Sequence, residues 1–285
     1  MLALEMLPAE TVERPATSAI LLRDIRDPDE LRACQDLQRR TWGITEDGYL
    51  LPVATMAAAQ KVGGLVLGAF DADQVLVGFS FAFLGQVRGQ LVLYSQLTAV
   101  DPERQGEGIG RLLKNEQRRR ARDMGLVSVV WTFDPLQASN AHFNLAVLGA
   151  TSRTYELDLY GSRTDALNAG LPTDRLLAEW STMAEPAPLR EASPDALELI
   201  EVEPGPDGLL VPSRVRSVPN ERSSCLTVQV PSNLARLKAV NLALAIDWQL
   251  AVRAALCAAF AAGYVAVGFS RSDPERPQYL LEPRV

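Results

Sequence analysis

Between Leu93 and Leu113 the chain reads Leu-Tyr-Ser-Gln-Leu-Thr-Ala-Val and then Asp-Pro-Glu-Arg-Gln-Gly-Glu-Gly-Ile-Gly-Arg-Leu-Leu. An apolar strand runs into a turn marked by Asp101-Pro102, the turn feeds Gly106, Gly108 and Gly110, and a helix begins at once. Glycine tolerates backbone angles that a Cβ forbids, so such a loop can curl and aim successive N–H groups at one point. The helix that follows leaves its first four N–H groups unpaired and carries a partial positive charge there. Loop and helix start together make an anion seat, suited to a phosphate or pyrophosphate.

Two common phosphate loops do not fit. A P-loop needs Gly-Lys-Ser/Thr at the helix entrance, and here Gly110 is followed by Arg111 and Leu112. A dinucleotide fingerprint needs Gly-x-Gly-x-x-Gly, and Arg111 stands in place of the last glycine. The run does fit Gln/Arg-Gly-x-Gly-x-Gly/Ala after a strand ending in a β-branched residue and an acidic-Pro turn. In this it resembles the acyl-CoA loop of the GNAT (Gcn5-related N-acetyltransferase) superfamily. The Pro172-Thr173-Asp174-Arg175 and Glu179-Trp180 segments, with a C-terminal extension, are similar to a GNAT branch linked with N-acylamino acid metabolism.

The net charge of −7 over 285 residues argues against nucleic acid as the main partner, since phosphate backbones want a basic surface. A basic run at Arg118-Arg119-Arg120 with Arg122 reads as a solvated helix face. Cys34, Cys225 and Cys257 are too far apart for a metal site or a disulfide framework, which suits a reducing cytoplasm. Residues 1–18 read as a flexible tail without the basic flank of a secretory signal. The most apolar window, 239–263, is interrupted by Asp247 and Arg253, which are costly in a bilayer core, so no membrane span is expected.

Along the chain, a strand is expected over 20–25 and a helix from Asp27-Pro28-Asp29-Glu30 to Trp42-Gly43, with Leu31, Cys34 and Leu37 inward. A second helix follows over 53–62, then strands over 65–70, 75–83 and 91–100. After the glycine loop come a helix over 108–123, a strand over 127–133, a helix from about 139 to 148, and strands over 155–160 and 174–181. This succession is the GNAT order, so the resemblance covers residues 19–183 as a catalytic domain. It implies an α/β (α+β) fold: a mixed, splayed central sheet flanked by helices, with the pantetheine arm of CoA entering between the strands at 91–100 and 127–133. Residues 184–285 begin Pro-rich and acidic, and read as a second, smaller α+β unit, with a degenerate GNAT-like repeat as one option. Strands are expected there over 197–202, 209–211 and 225–230, then a helical region from a Ser232 cap to Ala262, then a hairpin.

The resemblance implies that N–H groups around Leu97 serve the thioester carbonyl, and that Thr98 and Val100 pair with pantetheine. It puts Arg104, Gln105, Gly106, Glu107, Gly108, Ile109, Gly110 and Arg111 at the pyrophosphate, and Asn140 and Phe143 against pantetheine and adenine. Many GNATs keep a Tyr four residues before the helix-ending glycine; here that position is Leu145, before Gly149. Strand parity places Tyr94, Gln96 and Thr98 on one face. Tyr94, Gln96 and His142 are therefore the catalytic candidates, with Glu46, Asp47 and Tyr155 as further groups able to take a proton. Asp174 and Arg175 read as a surface ion pair, with a hold on a substrate carboxylate as the other option, and no metal is called for. The function implied is acyl transfer from acetyl-CoA or another acyl-CoA, succinyl-CoA included, to the amine of a small acceptor such as an amino acid. A non-catalytic acyl-CoA-binding or assembly module is the alternative, and a homodimer is left open.

Overall fold

Helix α1, Pro28–Trp42, starts and stops on the residues the sequence marks for it. The Asp27 carboxylate accepts from the N–H groups of Asp29 and Glu30, and Gly43 closes the helix in the left-handed conformation. The computed structural model describes residues 20–161, 170–184, 190–205, 208–219 and 225–284. The tail expected over 1–18 and the proline-rich stretch 185–189 lie outside them.

The first unit runs β1 Leu21–Asp24, α1, α2 Val53–Lys61, β2 Leu65–Phe70, β3 Leu76–Val87 and β4 Gln90–Val100. It continues with α3 Ile109–Asp123, β5 Ser128–Phe133, α4 Ala138–Ala141, a π-helical turn at His142–Val147, β6 Thr151–Glu156 and β7 Arg175–Ser181. Strand β2 is buried along its whole length because helices cover both faces of the sheet. Val66, Phe70, Phe79 and Phe81 face Leu31, Cys34, Leu37 and Met56 of α1 and α2. Leu65, Leu67 and Val77 belong to the opposite core, with Ile109 and Leu113 of α3 and Leu145 of the π turn.

The second unit contains β8 Leu197–Glu198, the hairpin β9 Ile200–Pro204 and β10 Leu210–Val215, and β11 Leu226–Gln229. Helices α5 Leu234–Val240 and α6 Leu242–Ala261 follow, then β12 Tyr264–Ser270 and β13 Gln278–Pro283. Both units build one mixed sheet, in the order β1-β2-β3-β4-β5-β7-β6-β12-β13-β11-β8. The join is Ser152 of β6, which lies opposite Ala266 of β12 on one side and Ala178 of β7 on the other.

Packing moves several boundaries away from their local signals. The strand expected over 155–160 is Thr151–Glu156, because Ser152 is needed at the join, and Leu157–Tyr160 turns away instead. The strand expected over 197–202 breaks at Leu199, whose backbone donates to Thr227 and accepts from Arg216. Asn233, not Ser232, caps α5, its side chain accepting from the N–H of Arg236. The single helical region expected to Ala262 is two helices, parted at Asn241, whose side chain caps α6. By length and composition α6 could cross a membrane, yet half of that stretch is buried within the protein.

Asp174 and Arg175 do not form a surface pair. Asp174 is 1% exposed and holds Arg253 of α6 through Nε (2.8 Å) and Nη2 (3.0 Å). It also accepts from the Tyr155 hydroxyl at 2.7 Å and the Asp158 N–H at 3.1 Å. The Arg253 pKa is raised, first by that hydrogen bond, and the Tyr155 phenol is raised by burial and by Asp174. Arg253→Met would leave a buried carboxylate without its cation. Such a loss costs about 3–5 kcal/mol, so the melting temperature should fall by roughly 6–20 °C, as calorimetry would read it. An unchanged melting temperature would mean that the two units do not depend on this pair.

Candidate functional site

Strand β4 ends at Val100, and Asp101 begins the turn by accepting from the N–H of Glu103 while pairing with Arg40. Gly106 (φ 87°) and Gly108 (φ 83°) then take left-handed angles that other residues adopt only with strain. Gly108 caps α3 without a side chain, so nothing on that residue competes for the helix's free N–H groups. Among the described residues, no backbone N–H from Gly106 to Arg111 has an acceptor in the protein. Helix α3 reaches this position because Gly78 of β3 gives it room. A Cβ at Gly78 would lie 2.9 Å from Ile109 and 3.3 Å from Leu113.

Beside the loop the sheet opens. Parallel strands β4 and β5 pair only at Leu93–Val129 and Tyr94–Val130, and β5 then continues along β7 through Phe133. The parting is caused by a bulge. Ala82 and Phe81 of β3 lie opposite Ser95 and Leu97, leaving Gln96 without a partner. From Gln96 to Val100 the edge of β4 that faces β5 makes no ladder, and the Thr98 hydroxyl is buried without a hydrogen bond. A V between parallel strands, a glycine loop at its rim and the order β1-β2-β3-β4-β5-β7-β6 decide the architecture. This is the GNAT fold.

No protein-family model matches the chain, and no curated protein matches it. Solved structures do align with it. The ribosomal-protein-S18-alanine N-acetyltransferase from Escherichia coli does so at 15% identity and TM-score 0.45, over 61% of this chain and 100% of its own. Arabidopsis thaliana NAA60 in complex with acetyl-CoA aligns at 13% identity and TM-score 0.46, over 57% and 99%. An N-acetyltransferase from Staphylococcus aureus Mu50 aligns at 13% identity and TM-score 0.46, over 58% and 99%.

Within the GNAT fold each residue singled out from the sequence has a definite place. Gln105 sends its side chain back to the Val100 carbonyl (3.4 Å), which Thr41 also reaches (3.2 Å). The Arg104 and Glu107 side chains bind each other at 2.8 Å, with Asp71 3.6 Å from the same guanidinium. Their charges are mutually engaged, the carboxylate being lowered by the arginine, so what they offer an anion is backbone. The Arg111 side chain is exposed and makes no ion pair among the described residues. A Cβ on Gly110 would touch Phe143 at 3.8 Å, so the π turn closes over the start of α3; Asn140 is exposed one turn earlier.

The bulge overturns the expected parity of β4. Leu97 and Ala99 pack with the α1 and α2 core, whereas Ser95 bonds to α3 and Val100 packs on that side. Tyr94 stacks on Phe83 at 5.2 Å, on the α1 and α2 face, so Tyr94 and Thr98 lie on opposite faces of the sheet. Gln96 is exposed on the bulge itself. His142 belongs to the π turn on the α3 side, where burial and then Arg271 lower its pKa, leaving it neutral at pH 7.

Three groups escaped the sequence reading. Thr132 of β5 lies 3.4 Å from the Tyr94 hydroxyl and 2.8 Å from that of Tyr160, so three hydroxyls cross the V from β4 to the β6–β7 connection. Burial pushes Tyr94 up to about 12, and Arg175 lies over the Tyr160 ring at 5.3 Å. Asp134, just past β5, accepts from the N–H of Leu136, and burial raises its carboxyl. Lys114 of α3 is buried, donates to Ser95 Oγ at 2.8 Å and lies 3.9 Å from the centre of the Trp131 ring. Ser95 in turn donates to Gln117 at 2.8 Å, so this polar cluster sits immediately before the bulge that splits the sheet. The lysine's place in an otherwise apolar Leu112-Leu113 turn was the signal available for it.

Proposed function

We propose that the protein transfers an acyl group from a CoA thioester to the amine of a small acceptor. The observation that carries this reading is the run of unengaged amides from Gly106 to Arg111 at the rim of a V that holds an orphaned Thr98 hydroxyl. The amides suit a diphosphate, and the unpaired edge of β4 suits the amides of a pantetheine arm. In this reading N–H groups around Leu97 meet the negative charge that develops on the carbonyl oxygen.

In the transfer itself the acceptor ammonium first loses a proton. The free amine then attacks the carbonyl carbon, the carbon–sulfur bond breaks, and the thiolate takes up a proton. Leu145 is buried at the position where a tyrosine acid would stand, so it supplies no proton. Tyr94 takes that part in our reading, because its phenol stays protonated through neutral pH and connects through Thr132 to Tyr160, which is 46% exposed. His142, neutral, and Asp134, with its raised carboxyl, are the groups able to accept the ammonium proton. Acetyl-CoA and succinyl-CoA are the donors to try first, with free amino acids as acceptors.

Thiol release measured across those donors and a panel of amines should show turnover. Tyr94→Phe should lower kcat about 100-fold or more while leaving CoA affinity unchanged, as general-acid losses do. Tight CoA binding with no product from any pair would mean a binding module in place of an enzyme.

A further inference from the structure

The second unit carries a cavity of about 410 Å³ that the acyl-transfer reading does not use. It lies past the end of β11, five strand positions along the sheet from β5, or about 24 Å at roughly 4.8 Å per strand. Its apolar wall includes Leu209, Val230, Leu237 and Trp248, and Trp248 is fixed there by donating from Nε1 to the Leu210 carbonyl at 3.0 Å.

The polar part of the wall is incomplete. Gln229 is 6% exposed, and its Oε1 accepts from Arg276 Nε at 3.1 Å, which fixes which end of the amide is oxygen. Its Nε2 is buried and has no acceptor in the protein. A buried donor left unsatisfied is unfavourable, and Gln229 is among the residues that line the cavity. Arg236 and Glu275 also line the space, and neither side chain makes an ion pair among the described residues. A pure anion would face Glu275, and a pure cation would face Arg236. A zwitterion answers both charges.

The position in the fold gives independent support. The run β8, β11, β13, β12 repeats the neighbours and directions of β4, β5, β7, β6: a parallel pair followed by two antiparallel pairings. In both halves the third strand in space is the last in sequence. The corner past β11 thus corresponds to the corner past β5, where the V of the first half opens. Pro231 stands two residues past the end of β11, as Pro135 stands two residues past the end of β5.

We propose that this cavity is a second small-molecule site that takes an α-amino acid with an apolar side chain. The carboxylate meets Arg236 and the Gln229 amide, the ammonium meets Glu275, and the side chain lies on Trp248. The size is that of an ordinary ligand pocket. This site is separate from the acceptor position of the transferase, and its occupancy does not depend on that activity.

Calorimetric titration of the full chain with leucine, phenylalanine, serine and lysine tests it, beside N-acetyl-leucine and 4-methylpentanoate, which lack the ammonium. Leucine or phenylalanine should bind, and the two ammonium-free analogues should bind at least about 10-fold more weakly. Arg236→Glu, on an exposed side chain, and Gln229→Leu should each weaken binding about 10-fold or more while CoA affinity stays unchanged. Gly108→Glu should leave amino-acid binding intact. No binding by any amino acid at millimolar concentration would overturn the proposal. So would binding that survives Arg236→Glu and Gln229→Leu but is lost in Gly108→Glu, which would put the amino acid in the first unit's cleft.

Discussion

Gly108→Glu is expected to abolish CoA binding, with affinity reduced at least about 100-fold, while the protein stays folded. The two halves of that expectation have separate causes. A Cβ at Gly108 meets no atom within 4 Å, so there is room for a side chain. The residue's φ of 83° costs a non-glycine roughly 1–2 kcal/mol, which a domain of this size tolerates. The carboxylate, by contrast, would stand at the start of α3, among the free amides from Gly106 to Arg111, and would both repel a diphosphate and take its donors. Gly108→Ala separates strain from charge and should cost only about 10-fold in affinity. Equilibrium binding of CoA to both variants, with melting temperatures alongside, measures this. Equal affinity in Gly108→Glu and the parent protein would remove the basis for placing CoA at this loop.

Lys114→Met is expected to stabilise the protein, most strongly below pH 7. The lysine's partners are a hydroxyl and an indole face, with no carboxylate, and burial lowers its pKa from 10.5 to about 7. The Trp131 face favours the ammonium, but desolvation outweighs it. The unfolded chain holds the proton up to about pH 10.5 and the folded one releases it near 7, so between these values the unfolded state binds more protons. Stability therefore rises with pH across that window. The shift of 10.5 − 7 = 3.5 corresponds to about 5 kcal/mol, an upper figure for the penalty carried at pH 6. Methionine removes the penalty but gives up the bond to Ser95, so the net gain at pH 6 should be about 2–4 kcal/mol, or roughly 4–16 °C in melting temperature. That gain should shrink as the pH approaches 10. A variant less stable than the parent at every pH would show that the lysine is held in a favourable charged state. The cluster also lies directly before Gln96, so acyl transfer in this variant reads how far the bulge depends on it.

Signals that live within a few residues of one another were legible. Asp27, Pro28 and Gly43 bound α1 as written, because caps act through groups two or three positions away. Asp71 makes its hairpin turn by accepting from Asp73 and Val75, again a local matter. The glycine loop announced both its angles and its unpaired amides, since alternate glycines after a strand leave few other uses. These features carried the seat and the order of elements around it.

What stayed hidden depends on residues far apart in the chain. The Gln96 bulge is set by how β3 meets β4, and it reverses the face on which Thr98 stands relative to Tyr94. Nothing in alternation along one strand reports an extra residue opposite its partner. Asp174 and Arg253, 79 positions apart, become a buried pair only when α6 packs on the first unit. The break at Asn241 follows from side-chain capping within an otherwise helical composition. By itself, then, the sequence determined the backbone angles and unpaired amides of the glycine loop, because they are made from consecutive residues. Tertiary structure alone decided which hydroxyls share the cleft, which charges are buried and how the second unit extends the sheet. Those outcomes are fixed by pairing and packing between segments that carry no record of one another.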